Sequence, residues 1–296
     1  MNQFPSQDKS QPIHIALTFD DNYWAPAYAT MRSVCLATHR RKDLVFHLCH
    51  RTLTKRHVAD LSRITDEFGA TLAWYDLDKD ARFADIAARA RYNRRLSNIV
   101  YARLMFGELL PATVTRLIYL DCDMYVRAPI EELAEMDMEG SPVAAVRDTY
   151  SFQIIGGRDI RANQDLFYLT DMYFNAGLLV IDMDAWRREG VLAKFEQVMQ
   201  DGTLERIYYD QDFLNLAFHG RWKRLDTLWN VINPRAAHEA FDPKLLHYTD
   251  RRKPWNLFSF VAFARTYRHV MTNDLFYAYM RHRLGRRLGK LIGLKP

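Results

Sequence analysis

Two aspartates separated by one residue can offer both carboxylates to one hard cation. This pattern occurs five times in the chain of 296 residues, so its surroundings must decide which copy has a function. Asp121 and Asp123 follow residues 117–120, a run apolar enough to be a strand buried on both faces. Carboxylates at the exit of such a strand repel each other and lose hydration unless a cation neutralises them. We therefore predict a metal site at Asp121 and Asp123, with capping of the following loop as the alternative.

The other copies have simpler interpretations. Residues 76–80 hold two overlapping pairs in a polar stretch and are predicted to be solvated. Asp184 precedes Ala185 and Trp186, so it is predicted to be a helix N-cap. The pair at residues 210 and 212 lies at the start of a predicted helix.

A nitrogen ligand could come from His247, which follows two leucines and precedes Tyr248. An isolated histidine is more often structural, and this alternative stays open. Two carboxylates and one imidazole, with open positions for phosphate oxygens, would suit an octahedral ion. The nitrogen ligand favours Mn²⁺, with Mg²⁺ as the second choice.

These residues need elements that bring them together. Short apolar runs predict strands at residues 13–19, 44–49, 71–75, 116–120, 143–146 and 174–181, and helical spacing predicts helices at 26–38, 55–68, 97–110 and from about 185 and 210. This alternation is typical of an α/β fold with a mostly parallel sheet between helices. Ligands of such sheets bind beyond the carboxyl ends of the strands. The loop that starts at Asp20 is therefore a candidate site, and residues 150–170, which contain Gly156 and Gly157, are predicted to be a mobile loop over it.

The charge distribution argues against nucleic acid as a partner. The net charge is +5, but residues 281–296 hold six of the 41 basic residues and no acidic ones, which leaves 35 basic against 36 acidic residues before them. In this tail Leu284, Leu288, Leu291 and Ile292 recur at helical spacing, so a helix would be apolar on one side and cationic elsewhere. Peripheral attachment to an anionic membrane surface is the prediction, and packing of the leucines on the domain is the alternative.

The sequence also suggests a cellular compartment and a division of the chain into domains. Three cysteines (Cys35, Cys49 and Cys122) form neither a zinc spacing nor a disulfide framework, which favours the reducing cytoplasm, with peripheral attachment at the inner face of the membrane. We predict a disordered leader at 1–12, one domain at 13–256 and a helical basic C-terminal appendage at 257–296.

Six segments together resemble the retaining glycosyltransferases of family 8, which include glycogenins and bacterial lipooligosaccharide galactosyl- and glucosyltransferases. In family order they are TFDDNY at 18–23, YARL at 101–104, LIYLDCD at 117–123, YFNAG at 173–177, DQD at 210–212 and HYTDRRKPW at 247–255. The resemblance implies a nucleotide-diphospho-sugar transferase fold of the GT-A type. It also implies transfer of a hexose, galactose or glucose, from a UDP-sugar to a glycan or glycolipid acceptor.

The resemblance implies a role for each matching residue. The metal ligands would be Asp121, Asp123 and His247, and the catalytic residues beside the hexose would be Asp210 and Gln211. The residues that hold the donor would be Thr18, Asp20, Asn22, Tyr23 and the Cys122 backbone at the nucleoside, Arg103, Asp148, Asn175 and Ala176 at the sugar, and Lys253 at the diphosphate.

One position departs from the family pattern. Asp250 stands where the family usually has glycine, and a carboxylate there would oppose the diphosphate unless it turned towards Arg251 or Arg252. Two other functions stay open at this point. A sugar-1-phosphate nucleotidyltransferase would need a glycine-rich basic loop after the first strand, where this chain has Asp20 to Tyr23. A non-catalytic sugar-nucleotide or glycan-binding protein would bind UDP without releasing it from a donor.

Overall fold

The structure is a computed structural model that describes residues 11–90, 97–148, 166–167, 172–207 and 209–291. Residues 1–10 of the predicted leader and most of the loop predicted at 150–170 lie outside the described residues. The strands are β1 (Ile13–Asp20), β2 (Leu44–Arg51), β3 (Thr71–Asp76), β4 (Arg116–Leu120), β5 (Met124–Val126), β6 (Val143–Arg147), β7 (Phe174–Asp182), β8 (Trp222–Arg224), β9 (Val231–Ile232) and β10 (Leu245–His247).

Helices flank these strands. They are α1 (Trp24–Ala37), α2 (Lys55–Phe68), α3 (Ala81–Arg89), α4 (Phe106–Leu109), α5 (Glu131–Ala134), α6 (Met183–Glu189), α7 (Val191–Gln200), α8 (Tyr209–Ala217), α9 (Ala264–Met271) and α10 (Asn273–Leu291). Gly69 ends α2 with a φ of 70°, a left-handed conformation that glycine adopts without strain. Within the described ranges, no helix is both long and apolar enough to cross a bilayer.

The main sheet has seven strands in the order β3-β2-β1-β4-β7-β6-β8. β3, β2, β1 and β4 are parallel to one another, and β7 runs antiparallel to both of its neighbours. A second sheet of three strands has the order β5-β10-β9. The predicted α/β fold with a mixed, mostly parallel sheet is therefore confirmed.

Two hydrophobic clusters cover the two faces of the main sheet. In β4, Ile118 and Leu120 belong to one cluster, whereas Leu117 and Tyr119 belong to the other. Successive side chains of a strand point to opposite faces, so a run with no polar residue is buried on both sides. This explains why residues 117–120 read as a continuous apolar segment, and it places Asp121 at the edge of the core.

The C-terminal helices pack on the domain. Tyr267 of α9 and Leu275, Phe276 and Tyr279 of α10 are buried within the cluster that α1 also joins. Further along α10, Leu284 and Leu288 are more than half exposed. The start of α10 is thus part of the core, and its end presents leucines to solvent. The division of the chain at residue 256 stays a prediction.

Three local expectations were wrong. The segment at 97–110 is a 3-10 helix (Asn98–Met105) followed by α4, because apolar spacings of three and four residues do not separate the two windings. The N-cap of α6 is Asp182 and not Asp184, because β7 continues to Asp182, whose carboxylate accepts from the backbone N–H of Ala185. The aspartates at 76–80 are not simply solvated: Asp80 caps α3, a helix inside a stretch read as polar.

Candidate active site

Two short strands bring the three predicted metal ligands together. The turn between β4 and β5 carries Asp121 and Asp123, and β10 pairs with β5 so that His247 lies opposite Met124. His247 Nε2 is consequently 3.6 Å from Asp121 Oδ2 and 3.2 Å from Asp123 Oδ1. His247 is buried, and the two carboxylates are partly accessible. A residue more than 120 positions away in sequence thus completes a site at the carboxyl end of β4.

The ligand spacing fits one hard cation. Neighbouring ligands of an octahedral ion lie roughly 2.9–3.6 Å apart when metal–ligand distances are about 2.1–2.5 Å. The two measured nitrogen–oxygen separations fall in this range, and all three ligand atoms lie within 4.8 Å of one another. Asp121, Asp123 and His247 can therefore bind one divalent ion on one side and leave its other positions to a ligand.

Asn230 sets the proton position on His247. Its Oδ1 lies 3.0 Å from His247 Nδ1, and its Nδ2 donates to Asn175 Oδ1 at 2.9 Å. Because a carbonyl oxygen only accepts, Nδ1 of His247 must carry the proton. Nε2 is therefore the ring nitrogen that is directed at the two aspartates and left for a metal ion.

Gly177 leaves the space that His247 occupies. A Cβ atom built on Gly177 would lie 2.3 Å from His247 Cε1 and 2.9 Å from both Asp121 Oδ2 and Met124 Cε. The Gly177 carbonyl also accepts from the Asp121 backbone N–H at 2.8 Å. The glycine of the YFNAG segment is thus required by close packing against two of the three ligands.

Lys253 binds the carboxylate oxygen of Asp123 that does not face His247. Its ammonium donates to Asp123 Oδ2 at 2.7 Å and to the Tyr248 carbonyl. Burial alone would raise the pKa of the Asp123 carboxyl, but the charges and hydrogen bonds of Lys253 and His247 bring that pKa well below its usual range. Asp123 is therefore ionised at neutral pH, as metal binding requires.

Arg103 connects the metal triad with Asp210. Its guanidinium donates to Asp121 Oδ1 at 3.0 Å and to the Ala176 carbonyl at 2.6 Å. Its Nε donates to the Val100 carbonyl and also lies 2.9 Å from Asp210 Oδ2, so the contact with Asp210 is an ion pair. Arg103 is almost fully buried. One buried cation thus balances two carboxylates of the site.

Asp210 lies in an unfavourable environment for charge. It is buried at the start of α8, and this burial raises the pKa of its carboxyl. The neighbouring charge of Asp121 raises the pKa further, whereas Arg103 opposes the shift. A carboxyl group held this way is a frequent feature of functional sites, because burial and specific partners tune its protonation.

Gln211 is the centre of a second network. Its Oε1 accepts from the Ala176 backbone N–H at 3.0 Å and from Asn175 Nδ2 at 3.2 Å. Its Nε2 lies 3.1 Å from the Tyr173 hydroxyl and 3.4 Å from Asp148 Oδ2. Asn175 Nδ2 also donates to Asp148 at 3.2 Å. The structure thus brings four of the predicted sugar-side residues into one hydrogen-bonded group: Asp148 after β6, Asn175 and Ala176 of β7, and Gln211 of α8.

The nucleoside-side residues lie at the adjoining strand end. Asp20 Oδ1 accepts from the Asn22 backbone N–H at 2.9 Å, which shapes the turn after β1. Tyr23 is partly exposed and lies edge-on to Trp255, with ring centroids 5.9 Å apart. Cys122 is buried, and its Sγ donates to the Thr18 carbonyl at 3.7 Å. These predicted nucleoside contacts therefore lie at the carboxyl end of β1, next to the end of β4 that carries Asp121.

Asp250 turns away from the site. It is exposed, and its carboxylate accepts from the Arg251 backbone N–H at 2.6 Å and lies 3.4 Å from the Arg252 guanidinium. The carboxylate thus contacts the Arg251 backbone and the Arg252 side chain, the outward orientation in which it would not oppose a diphosphate.

Three residues that support the site were not predicted from the sequence. The Tyr119 hydroxyl donates to Asp121 Oδ1 at 2.6 Å and lies 3.2 Å from Thr18 Oγ1. The Arg103 guanidinium lies over the Tyr119 ring, 4.2 Å from its centroid. Tyr119 carries the only hydroxyl of the run 117–120, which was an available signal. No sequence pattern indicates a function for Asn230, and Tyr173 belongs to the YFNAG segment but had no predicted role in the site.

A family comparison agrees with this arrangement. Residues 14–258 match the sequence profile described as Glycosyl transferase family 8. The chain belongs to this family. The match covers every predicted site residue and ends just before α9. Membership of this family supports a transferase function for the chain.

Several proteins are similar in sequence to this family 8 chain, at low identity. It is 26% identical to Glycosyltransferase GlyA of Streptococcus pneumoniae, over 91% of this chain and 36% of GlyA, so it spans about a third of that relative. It is 23% identical to General stress protein A of Bacillus subtilis, over 89% of this chain and 94% of the relative. It is 24% identical to Lipopolysaccharide 1,2-glucosyltransferase of Escherichia coli, over 89% of this chain and 79% of that protein.

Solved structures show the same fold. The galactosyltransferase LgtC in complex with donor and acceptor sugar analogs superposes with a TM-score of 0.72 at 24% identity, over 88% of this chain and 95% of LgtC. The apo structure of the bifunctional glycosyltransferase WbbM gives a TM-score of 0.71 at 22% identity, over 94% of this chain and 53% of WbbM. The family 8 transferase therefore has the predicted GT-A fold.

Proposed function

We propose that the protein is a retaining glycosyltransferase that moves a hexose, galactose or glucose, from a UDP-sugar to a glycan or glycolipid acceptor. The observation that carries this proposal is the spacing of Asp121, Asp123 and His247 around one point, beside the network of Gln211 and Asp210. A sugar nucleotide needs both parts, because its phosphates require cationic neutralisation and its hexose requires directed hydrogen bonds. The relatives named as a glucosyltransferase and a galactosyltransferase support the choice of donors.

Mn²⁺ is the metal that this donor set suits best. A purely oxygen site would suit Mg²⁺ or Ca²⁺, but His247 adds an imidazole nitrogen. The fit is supported by Asn230, which orients Nε2 of His247 towards the aspartates, and by Gly177, which leaves room for the ring. A bound divalent ion would neutralise negative charge on the diphosphate as the bond to the sugar breaks.

The chain's own residues would position the donor around this ion. Lys253 lies close enough to Asp123 to reach a diphosphate bound there, and as a compact cation it suits a leaving group that gains charge. Thr18, Asp20, Asn22, Tyr23 and the Cys122 backbone would hold the nucleoside. Arg103, Asp148, Asn175 and Ala176 would hold the sugar hydroxyls and line the sugar pocket.

The residue at the catalytic position favours front-face transfer. A double displacement needs a carboxylate under the anomeric carbon. The amide of Gln211 is a poor nucleophile, and its oxygen already accepts from Asn175 and Ala176. Asp210 is paired with Arg103, which suits orientation of the sugar. The leaving phosphate oxygen would accept the proton of the acceptor hydroxyl.

Membrane attachment is the part of the proposal that concerns the acceptor. Phe258 and Phe260 are 81% and 97% exposed, and Leu284 and Leu288 of α10 are also exposed. Arg283 of α10 donates to Asn256 at 3.0 Å, so this aromatic loop and the cationic helix adjoin. Apolar side chains beside cations suit an anionic bilayer at the cytoplasmic face. A glycolipid acceptor would then reach the site from that surface.

Two experiments test these proposals. With a panel of UDP-sugars and Mn²⁺, we expect UDP release from UDP-galactose or UDP-glucose, lost on chelation. Binding of UDP without its release from a donor would instead support a non-catalytic binding protein. Formation of pyrophosphate from a sugar 1-phosphate would support a nucleotidyltransferase.

A separate experiment tests membrane attachment. Deletion of residues 284–296 should move the protein from anionic vesicles to solution, and an unchanged distribution would contradict the membrane proposal.

A further inference from the structure

A second group of metal-type ligands lies outside the active site. Asp21 in the turn after β1, His57 in the first turn of α2 and His282 on α10 meet at one point. His57 Nδ1 is 2.5 Å from Asp21 Oδ1, and His282 Nε2 is 3.8 Å from Asp21 Oδ2. Their ligand atoms all lie within 4.8 Å of one another. None of the roles proposed above uses these three side chains.

Two of the three side chains are buried, and His282 is partly exposed. Asp21 and His57 are 8% and 6% exposed. The Trp24 indole stacks on His57 with ring centroids 4.3 Å apart and an interplanar angle of 12°, which fixes the plane of that imidazole. His282 Nε2 is buried, and no hydrogen-bond partner for it lies among the described residues. A buried polar nitrogen left unsatisfied is costly, so this atom points to a missing ligand.

We propose that Asp21, His57 and His282 bind a divalent transition-metal ion of the Zn²⁺ type, in a site distinct from the one at Asp121 and Asp123. Two imidazoles and one carboxylate are borderline ligands that suit Zn²⁺, with water as the fourth ligand of a tetrahedron.

The ligand atoms need only small movements to bind the ion. Tetrahedral ligands at about 2.0 Å from zinc lie about 3.3 Å apart. The contact between His57 and Asp21 would open by about 0.8 Å from 2.5 Å, and His282 would approach by about 0.5 Å from 3.8 Å. Side-chain rotation supplies shifts of this size. The ion would replace one hydrogen bond and satisfy the buried nitrogen of His282.

Such an ion would join the C-terminal helix to the nucleotide loop. Asp21 lies between Asp20 and Asn22, which we propose as nucleoside contacts. Tyr279, one turn before His282, already donates to the Asn22 carbonyl at 2.6 Å. The three ligands come from a loop and two helices that are distant in sequence, so an ion would restrain their relative motion. These ligands would act as positioning residues, because the ion would affect nucleotide binding through the backbone of this loop.

Co²⁺, used in place of Zn²⁺, tests the proposal because its d–d absorption reports tetrahedral nitrogen and oxygen ligation. The titration is made on the full chain carrying Asp123→Asn, which removes one ligand of the other site, so the result does not depend on the transferase activity. We expect one equivalent of Co²⁺ with tetrahedral absorption, displaced by Zn²⁺. Adding His282→Gln should weaken binding at least about tenfold, whereas His269→Gln, an exposed histidine on α9, should leave it unchanged.

Two outcomes would overturn the proposal. Absence of tetrahedral absorption would show that Asp21 and His57 form a hydrogen bond only, and equal affinity in the His282→Gln chain would place the ion elsewhere. Circular dichroism of each variant establishes that it is folded, and His57→Gln is the second variant if His282→Gln does not fold. Zn²⁺ should also slow proteolysis of α10 in the chain with His282 and not in the chain without it.

Discussion

Replacing Gly177 with alanine should damage the metal site while leaving the fold in place. The added Cβ would lie 2.3 Å from His247 Cε1, and ordinary contact between carbon atoms begins at 3.4 Å. His247 must therefore withdraw by about 1.1 Å, the difference between these two distances. The same Cβ would lie 2.9 Å from Asp121 Oδ2, so a second ligand is also displaced.

The size of the effect follows from this displacement. A misplacement of about 1 Å at a reacting or binding group costs about 100-fold, and disturbed metal-site residues commonly lose about 10- to 100-fold in affinity. We expect the apparent affinity for Mn²⁺ to fall about 100-fold, which corresponds to a loss of about 2.7 kcal/mol in binding free energy. Overpacking should also lower the free energy of unfolding by about 1–3 kcal/mol, which lowers Tm by a few degrees.

The assay is UDP release measured against Mn²⁺ concentration, together with thermal unfolding in a chelator. Gly285→Ala is the matched control, because its added Cβ meets nothing within 4 Å. That variant should keep the wild-type response to Mn²⁺. An unchanged Mn²⁺ response in the Gly177→Ala protein would refute the assignment of His247 as a metal ligand, since its ring cannot keep its position beside a new Cβ.

Three further predictions concern single side chains. Asn230→Ala removes the acceptor that orients His247, so Mn²⁺ affinity measured by titration should fall about 10- to 100-fold. Because Asn230 is buried and bonded to both His247 and Asn175, Tm should also fall. Asp210→Asn should reduce kcat at least about 100-fold and barely change UDP affinity; equal losses in both would contradict its role. Burial lowers the pKa of His47 to about 4, so the unfolded chain binds more protons between about pH 4 and 6.5. Stability should therefore fall as pH drops through that window, by up to about 1.4 kcal/mol per pH unit, and His47→Gln should flatten this slope in chemical denaturation.

Each aspartate of the triad also has a cationic side chain beside it. Lys253 donates to Asp123 and Arg103 donates to Asp121, so each carboxylate has a partner besides His247. The oxygens that face His247, Asp121 Oδ2 and Asp123 Oδ1, are not the ones that these two cations bind. A divalent ion would therefore add to these contacts and would not need to displace them.

Much of the framework was determined by the sequence itself. The strand at 117–120 was predictable because burial on both faces of a sheet demands an uninterrupted apolar run. Asp121 and Asp123 stood out for the same reason, since charges directly after such a run need a counter-charge. Gly69 at the end of α2 was likewise predictable, because local backbone geometry favours glycine there.

Tertiary structure alone decided the contacts between distant residues. The pairing of β10 with β5 sets His247 beside Asp123, and the pairing of β9 with β10 brings Asn230, the residue before β9, to the imidazole. No local pattern encodes a strand pairing across more than 120 residues, because periodicity reports only which face of an element is buried. The cluster of Asp21 and His282 arises in the same way, from the packing of α10 on the first loop. The sequence determines which side chains are present, but the distances between them depend on how the whole chain packs.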